Sequence, residues 1–148
     1  RSPDHWVDRL VINIGNETGI RQNDAVINQF GLVGKVLEVS NKTALIQLLA
    51  DPESAVSCLT EHGRFPAIVT GSHQEMAKLK YLQNYAEVKS GEKIFTSGLG
   101  EIYPKELLIG TVEHVIKNQS QPVPEVQVRL AGLQQSIEDV IVLKAEKP

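Results

Sequence analysis

The chain repeats one phrase. Ile20-Arg21-Gln22-Asn23-Asp24-Ala25-Val26-Ile27 is matched in pattern by Val88-Lys89-Ser90-Gly91-Glu92-Lys93-Ile94-Phe95. Each copy leads into a second shared run, Gly34-Lys35-Val36-Leu37-Glu38-Val39 and Gly110-Thr111-Val112-Glu113-His114-Val115, the latter delayed by an insertion around Leu99 to Glu106. The repeat predicts two related modules, and its chemistry says what they are made of. Asn23 and Gly91 hold the matched slot, and these residue types best tolerate positive φ. An acid and then an apolar run follow, so the slot describes a tight turn feeding a strand. Gly34 and Gly110 sit inside strand-like stretches, where a missing side chain marks a bulge, a barrel corner or a close backbone approach.

A length of 148 residues can bury one generous core or two small ones of roughly 70 residues each, and two cores that small would need each other. The chain is 41% hydrophobic but only 5% aromatic, with 11 Gly and 7 Pro spread as punctuation, which fits an all-β composition. A net charge of -3 with scattered basic residues argues against a nucleic-acid partner, whose phosphates require clustered Lys and Arg. The single cysteine, Cys58, excludes an internal disulfide and a thiolate metal cluster. Within Ala55-Val56-Ser57-Cys58-Leu59 it reads as a small buried hydrophobe. No stretch approaches the roughly 20 apolar residues of a membrane span, and nothing resembles a signal peptide. The chain opens at Arg1 without a methionine and is read as an excised fragment.

Strands are predicted at Leu10 to Ile14, Ala25 to Gln29, Leu32 to Val39, Ala44 to Leu49, Ala55 to Thr60 and Pro66 to Thr70. They continue at Met76 to Leu82, Lys93 to Ser97, Leu108 to Lys117, Glu125 to Leu130 and Val140 to Lys144. Short strands at this spacing suggest barrels. The best helical competitor is Gln74 to Asn84. A link near Phe65 to His73 divides the chain into a first module, residues 5–68, and a second, residues 69–148. The terminal strand either closes the second barrel or returns to the first.

Motifs for bond chemistry fail on spacing. Gly31-Leu32-Val33-Gly34-Lys35 has two residues between its glycines where a phosphate loop needs four, and Val36 stands where a hydroxyl would reach magnesium. Gly98-Leu99-Gly100 lacks a third glycine and a helical continuation. His5, His62, His73 and His114 show no metal-ligand spacing, and Asp51, Glu53, Glu101 and Glu113 have no local reason for perturbed acidity. Two linked β-barrels also build chymotrypsin-like proteases, which draws attention to Ser97-Gly98. In those enzymes the serine follows Gly-Asp, whereas here it follows Phe95-Thr96, and the sequence ahead of it offers no compelling His and Asp pair for a triad.

Several ordered runs carry a family resemblance. Trp6 leads into Leu10-Val11-Ile12-Asn13-Ile14-Gly15, then Gly19-Ile20, Phe30-Gly31-Leu32-Val33-Gly34-Lys35-Val36 and Asp51-Pro52-Glu53-Ser54-Ala55-Val56. Most specific is Thr96-Ser97-Gly98-Leu99-Gly100-Glu101-Ile102-Tyr103-Pro104-Lys105-Glu106-Leu107-Leu108-Ile109-Gly110-Thr111-Val112. It resembles the signature of the MreC family of rod shape-determining proteins, close to TSGLGGIFPKGLPVGTV, with Glu101 and Glu106 where glycine is common. The resemblance spans nearly the whole chain. It implies an all-β fold of two small six-stranded-type barrels like those of chymotrypsin, without protease activity. It further implies a region on the extracytoplasmic face of the plasma membrane, in the periplasm, anchored through a segment absent from this sequence. The implied role is a non-enzymatic scaffold of the cell-elongation machinery. Implied partners are a homo-dimer or filament, MreD, the class B penicillin-binding protein and, indirectly, MreB, with no cofactor.

Candidate partner-contact residues are Phe30, Leu99, Ile102 and Tyr103, apolar members of loops, although the last three could instead plug a barrel end. Trp6 reads as a packing anchor. A peptidoglycan-binding module is the alternative from another class, favoured if Trp6, Tyr81, Tyr85 and Tyr103 line one exposed groove; a serine protease would need Ser97 within hydrogen-bond reach of a histidine. Deleting Asp139 to Pro148 is expected to abolish cooperative unfolding, because an opened sheet exposes an unpaired edge. A sharp thermal melt retained in the truncated chain would refute this.

Overall fold

Alternation and turn residues place the strands where the computed structural model has them; it describes residues 8–100, 102–134, 137 and 139–144. These strands are β1 (Arg9–Ile12), β2 (Ala25–Asn28), β3 (Gly31–Val39), β4 (Ala44–Leu48), β5 (Ala55–Thr60) and β6 (Pro66–Gly71), then β7 (Met76–Lys80), β8 (Lys93–Thr96), β9 (Leu108–Ile116), β10 (Glu125–Leu130) and β11 (Ile141–Leu143). Short 3-10 turns at Asn16–Thr18 and Ala131–Leu133 complete the described regular structure. The stretch with helical competition is β7. Its period-two pattern buries Ala77 and Leu79 while Lys78 and Lys80 face water, as a half-buried strand requires.

The all-β class and the chymotrypsin-like resemblance are consistent with what forms. β5 to β10 close a six-stranded barrel in the order β10-β7-β6-β5-β8-β9, while the described strands of the other module form a five-stranded sheet ordered β1-β4-β3-β2-β11. The terminal strand returns to the first module, pairing with β2 through Ile141↔Ile27, Val142↔Val26 and Leu143↔Ala25.

The sheets divide between β4 and β5 rather than at residues 68/69. The expected link is a hairpin: His73 and Gln74 turn the chain at φ of 73° and 57°, and β6 pairs directly with β7 from Gly71↔Ala77 to Ile68↔Lys80. The segment that does cross between sheets, Leu49 to Ser54, has the Asp, Pro, Glu and Ser of a turn, yet Leu49, Ala50, Asp51 and Ser54 are nearly inaccessible and only Pro52 and Glu53 are exposed. Asp51 organises it, accepting from Glu53 N–H at 2.9 Å, Arg9 Nε at 3.2 Å and Gln47 Nε2 at 3.4 Å. Burial pushes this carboxyl upward, but the hydrogen bonds from Glu53, Arg9 and Gln47 outweigh it and hold the group below its ordinary value.

The sequence repeat is a structural one. Asn23 and Gly91 adopt φ of 75° and 91°. Their amides donate to Val36 O at 2.8 Å and Val112 O at 2.7 Å, and Val36 N and Val112 N donate back to Asp24 O and Glu92 O at 2.9 and 2.8 Å. The buried Asp24 and Glu92 carboxylates each accept from the amide three residues earlier, Arg21 at 2.9 Å and Lys89 at 3.2 Å. Both hairpins then bulge at the same place, between Val26/Ile27 and between Ile94/Phe95. Gly34 and Gly110 face the bulges, and a Cβ on either would lie 1.9 Å from Gln47 O or 2.1 Å from Arg129 O.

Buried residues of both modules form one hydrophobic cluster, from Val26, Leu32, Val36 and Ile46 to Val69, Ile94, Val112 and Val128. Asn28 Nδ2, donating to Gly132 O at 2.9 Å, ties the β2–β3 turn to the turn after β10.

Gly34→Ala and Gly110→Ala are each expected to cost about 3 kcal/mol, because the added methyl meets backbone rather than a movable side chain. Gly91→Ala, whose new methyl meets nothing within 4 Å, costs only the left-handed backbone, about 1 kcal/mol. Urea titrations of the three variants check the order; a larger loss at Gly91 would refute the close-approach argument.

Candidate protein-interaction surface

The inserted loop hangs from the end of β8. Thr96, fully buried, donates its hydroxyl to Pro104 O at 2.6 Å and accepts from Leu107 N at 2.8 Å, while its backbone pairs with Leu107 O and Glu106 N, each at 2.9 Å. Ser97 N donates to Ser57 O at 3.0 Å, which fixes the loop's first residue to β5. Glu106 stands at φ 65°, a conformation that accounts for glycine being common there, and its carboxylate pairs with Arg64 in the β5–β6 turn. A loop held at both ends in this way presents its tip in a fixed position.

The candidate residues separate on this frame. Tyr103 is 8% exposed and plugs the core, where burial pushes its hydroxyl far above the usual tyrosine range. Ile102 is half-buried against the same cluster. Leu99 projects outward at 67% exposure. Beside it stands Tyr81, 81% exposed just past β7, and both border a cleft of about 180 Å³ whose other walls include Ser57, Cys58, Ile68, Gln83 and Ser97. Among the described residues, none that lines this cleft is charged. An uncharged recess flanked by an aromatic and an aliphatic side chain suits an apolar anchor from another protein.

Phe30, 40% exposed on the β2–β3 turn, lies elsewhere. It borders a groove of about 330 Å³ with Ile27, Leu32, Leu107 and Leu108, at the foot of the inserted loop. Asn28 Oδ1 fixes that turn by accepting from Phe30 N at 2.9 Å and Gly31 N at 3.2 Å. The structure therefore brings none of the four candidates into one patch. Sequence reasoning named Tyr81 only for the wall-binding alternative and not as a partner contact, since it reads as the tail of a strand; its signal was an aromatic immediately after the alternating run Met76 to Lys80.

The aromatic platform expected of a wall-binding module is not assembled. Tyr81 faces the Leu99 cleft, whereas Tyr85 packs edge-on against Phe65, centroids 6.1 Å apart, and borders a different groove with Asn118 and Gln121. Tyr103 is buried, and Trp6 lies outside the described residues. Ser97 Oγ accepts from Leu99 N at 3.2 Å, with no histidine among its described hydrogen-bond partners. His73 Nδ1 meets Asp8 at 2.9 Å, and His62 lies 3.7 Å from Glu61. That geometry gives a protease reading no support.

Cys58, at the cleft floor, is fully buried, and burial pushes its thiol up to about 12 despite a hydrogen bond from Ala67 N. At pH 8 the native thiol should stay unreactive toward Ellman's reagent and titrate one equivalent per chain only after unfolding. Stoichiometric labelling of native protein within minutes would mean that the cleft floor opens.

The family model for rod shape-determining protein MreC, barrel core, matches residues 1–144. The cell shape-determining protein MreC of Listeria monocytogenes is 36% identical over 121 residues, covering 78% of this chain and 41% of that protein. The chain spans about half the length of such relatives. Among solved structures, an MreC chain aligns with a TM-score of 0.89 at 28% identity, covering 97% of this chain and 82% of that one. A complex between penicillin-binding protein PBP2 and MreC from Helicobacter pylori aligns with a TM-score of 0.72 over 90% of this chain and 84% of that one. At 14% identity, that second likeness is one of fold.

Proposed function

Because the chain belongs to the MreC family of rod shape-determining proteins, we propose that it is a non-enzymatic scaffold of the bacterial cell-elongation machinery, organising peptidoglycan synthases through protein-protein contacts. The observation that carries this reading is the cleft between the exposed Tyr81 and Leu99, whose described walls are uncharged, held on a braced loop and a closed barrel. Its partner is the class B penicillin-binding protein, acting outside the plasma membrane, with membrane anchoring supplied by sequence other than this. A pairing of that kind has a precedent in the H. pylori MreC solved with PBP2. Self-association into dimers or filaments, contact with MreD and an indirect link to MreB belong to the same proposal.

The barrels break no bonds in this mechanism. Their contribution is differential affinity: a scaffold that binds one conformation of the synthase more tightly than another shifts its population toward that state by the difference. Rigid presentation favours this, since little ordering entropy opposes binding when Thr96 and the Arg64–Glu106 pair already fix the loop. Exposed aromatic and aliphatic anchors seated in a partner's pocket concentrate the binding energy.

Titration calorimetry against the extracytoplasmic part of the cognate class B penicillin-binding protein tests the reading. Leu99→Asp and Tyr81→Ala should each weaken binding by about tenfold or more, roughly 1.4 kcal/mol, while melting close to the parent chain because both side chains are exposed. Tyr103→Ala would report on folding instead. If only Phe30→Ala weakens binding, the contact surface belongs to the other groove. Absence of wild-type binding up to about 1 mM, roughly 4 kcal/mol, would sink the proposal for this region.

A further inference from the structure

The barrel module carries a second concavity that shares no wall residue with the Tyr81–Leu99 cleft, a groove of about 630 Å³. One bank is the chain between β7 and β8, from Asn84 to Lys89; the other is the end of β9 with the loop beyond it, from Val115 to Pro124. The banks are tied together at their base, where Ser90 Oγ donates to Glu113 O at 2.8 Å and Gly91 N to Val112 O at 2.7 Å. Each bank also turns on a hydrogen bond of its own, Ala86 N to Gln83 O at 3.0 Å and Gln121 N to Asn118 O at 3.1 Å.

The walls combine three kinds of group. Ala86 and Val88 are buried and Val115 packs against the core, so they supply apolar surface. Tyr85 stands over it, 69% exposed, with its ring held edge-on by Phe65. The polar groups around that ring are uncommitted. The side chains of Asn84 and Gln121 and the Tyr85 hydroxyl make no hydrogen bond among the described residues, and Asn118 uses only its Oδ1, accepting from Ser120 N at 3.0 Å and Ser120 Oγ at 2.8 Å. Lys89 and Lys117 enter no salt bridge among the described residues, and Glu87 is the one acid among the described walls, so two ammoniums face one carboxylate.

We propose that this groove binds a short stretch of an acidic amino-sugar glycan, with one sugar ring seated on Tyr85. The C–H face of a sugar and the methyl of an acetamido group suit the aromatic ring and the apolar walls. Carboxamides donate and accept at once, as hydroxyl and acetamido groups do, and the two ammoniums take carboxylates on the glycan. An acidic peptide is served less well, because the described walls hold no series of apolar recesses for alternate side chains. The volume lies in the range of roughly 300–1,000 Å³ usual for ligand sites. One ring suffices here, so the site does not need the four-ring platform that the fold fails to assemble, and it rests on neither the cleft nor the synthase contact.

The probe is a peptide-free tetrasaccharide of alternating N-acetylglucosamine and N-acetylmuramic acid, titrated into the ¹⁵N-labelled whole chain and followed by amide chemical shifts. Saturable changes are expected at Asn84–Lys89 and Val115–Gln121. Chitotetraose, which keeps the acetamido groups and lacks the carboxylates, should bind about threefold more weakly or worse. Tyr85→Ala should weaken binding of the acidic probe by about tenfold. Lys117→Gln and Glu87→Gln change exposed side chains and should move the affinity in opposite directions, about threefold weaker and about threefold tighter. No saturable change up to about 10 mM, equal or tighter binding of chitotetraose, or charge variants that fail to move in opposite directions each overturn the proposal. A hexaglutamate peptide that reproduces the same shifts at equal or lower concentration would assign the groove to an acidic polypeptide, which overturns it as well.

Discussion

Two backbone crossings organise this molecule: at Gly34 and at Gly110 one strand passes so close to the next that the Gln47 and Arg129 carbonyls occupy the space of a side chain. Each crossing faces a bulge, which bends its hairpin and adds twist. The bend turns the inward residues of three consecutive strands, β2–β4 or β8–β10, toward a common interior, so the apolar side chains of both modules merge into one cluster. A small core of either set alone would stand near the margin of stability. The acids beside the crossings serve the same geometry, since Asp24 and Glu92 hold the turns that launch each bent hairpin.

Position along the chain was far more legible than partnership between strands. Period-two patterning and Gly, Asn and Pro punctuation locate all the described strands to within a residue or two, because those signals act over a few residues. The repeat located the turns and the close approaches, since Gly and Asn best tolerate the positive φ held by Asn23 and Gly91 and only Gly fits at Gly34 and Gly110. The module boundary was misplaced for a physical reason. His73 and Gln74 look like linker chemistry but form a hairpin, while the segment from Leu49 to Ser54 reads as one more turn between strands, yet it crosses between sheets with most of its residues buried. Sheet membership depends on which non-local edges meet, and local sequence does not encode that.

The surface was half legible. Leu99 was identifiable because an apolar residue between two glycines has no strand to bury it, whereas Tyr103, four residues on, turns inward because Thr96 draws Pro104 and Leu107 back to the barrel. Tyr81, named only for a wall-binding platform, was hidden as a protein contact by its place at the end of an alternating run. Its exposure follows from a left-handed backbone, φ 64°, which carries the chain off the sheet just beyond Lys80.

A closed barrel and an open sheet offer two different physics of recognition. In the barrel all backbone groups of the strands are engaged with neighbours, so a partner can be held only by side chains, and affinity concentrates in a few anchors such as Tyr81 and Leu99. An open edge binds through backbone hydrogen bonds, which discriminate weakly among side chains and strongly against proline. Among the described residues the exposed anchors lie on the closed barrel, while β1 and β11 of the first sheet each pair on one side. The modules are joined by their shared core, by the link around the buried Asp51, fixed by Arg9 from β1, and by the β2–β3 turn, where Asn28 meets Gly132. A change at a surface of one module reaches the other through packed and hydrogen-bonded contacts of this kind.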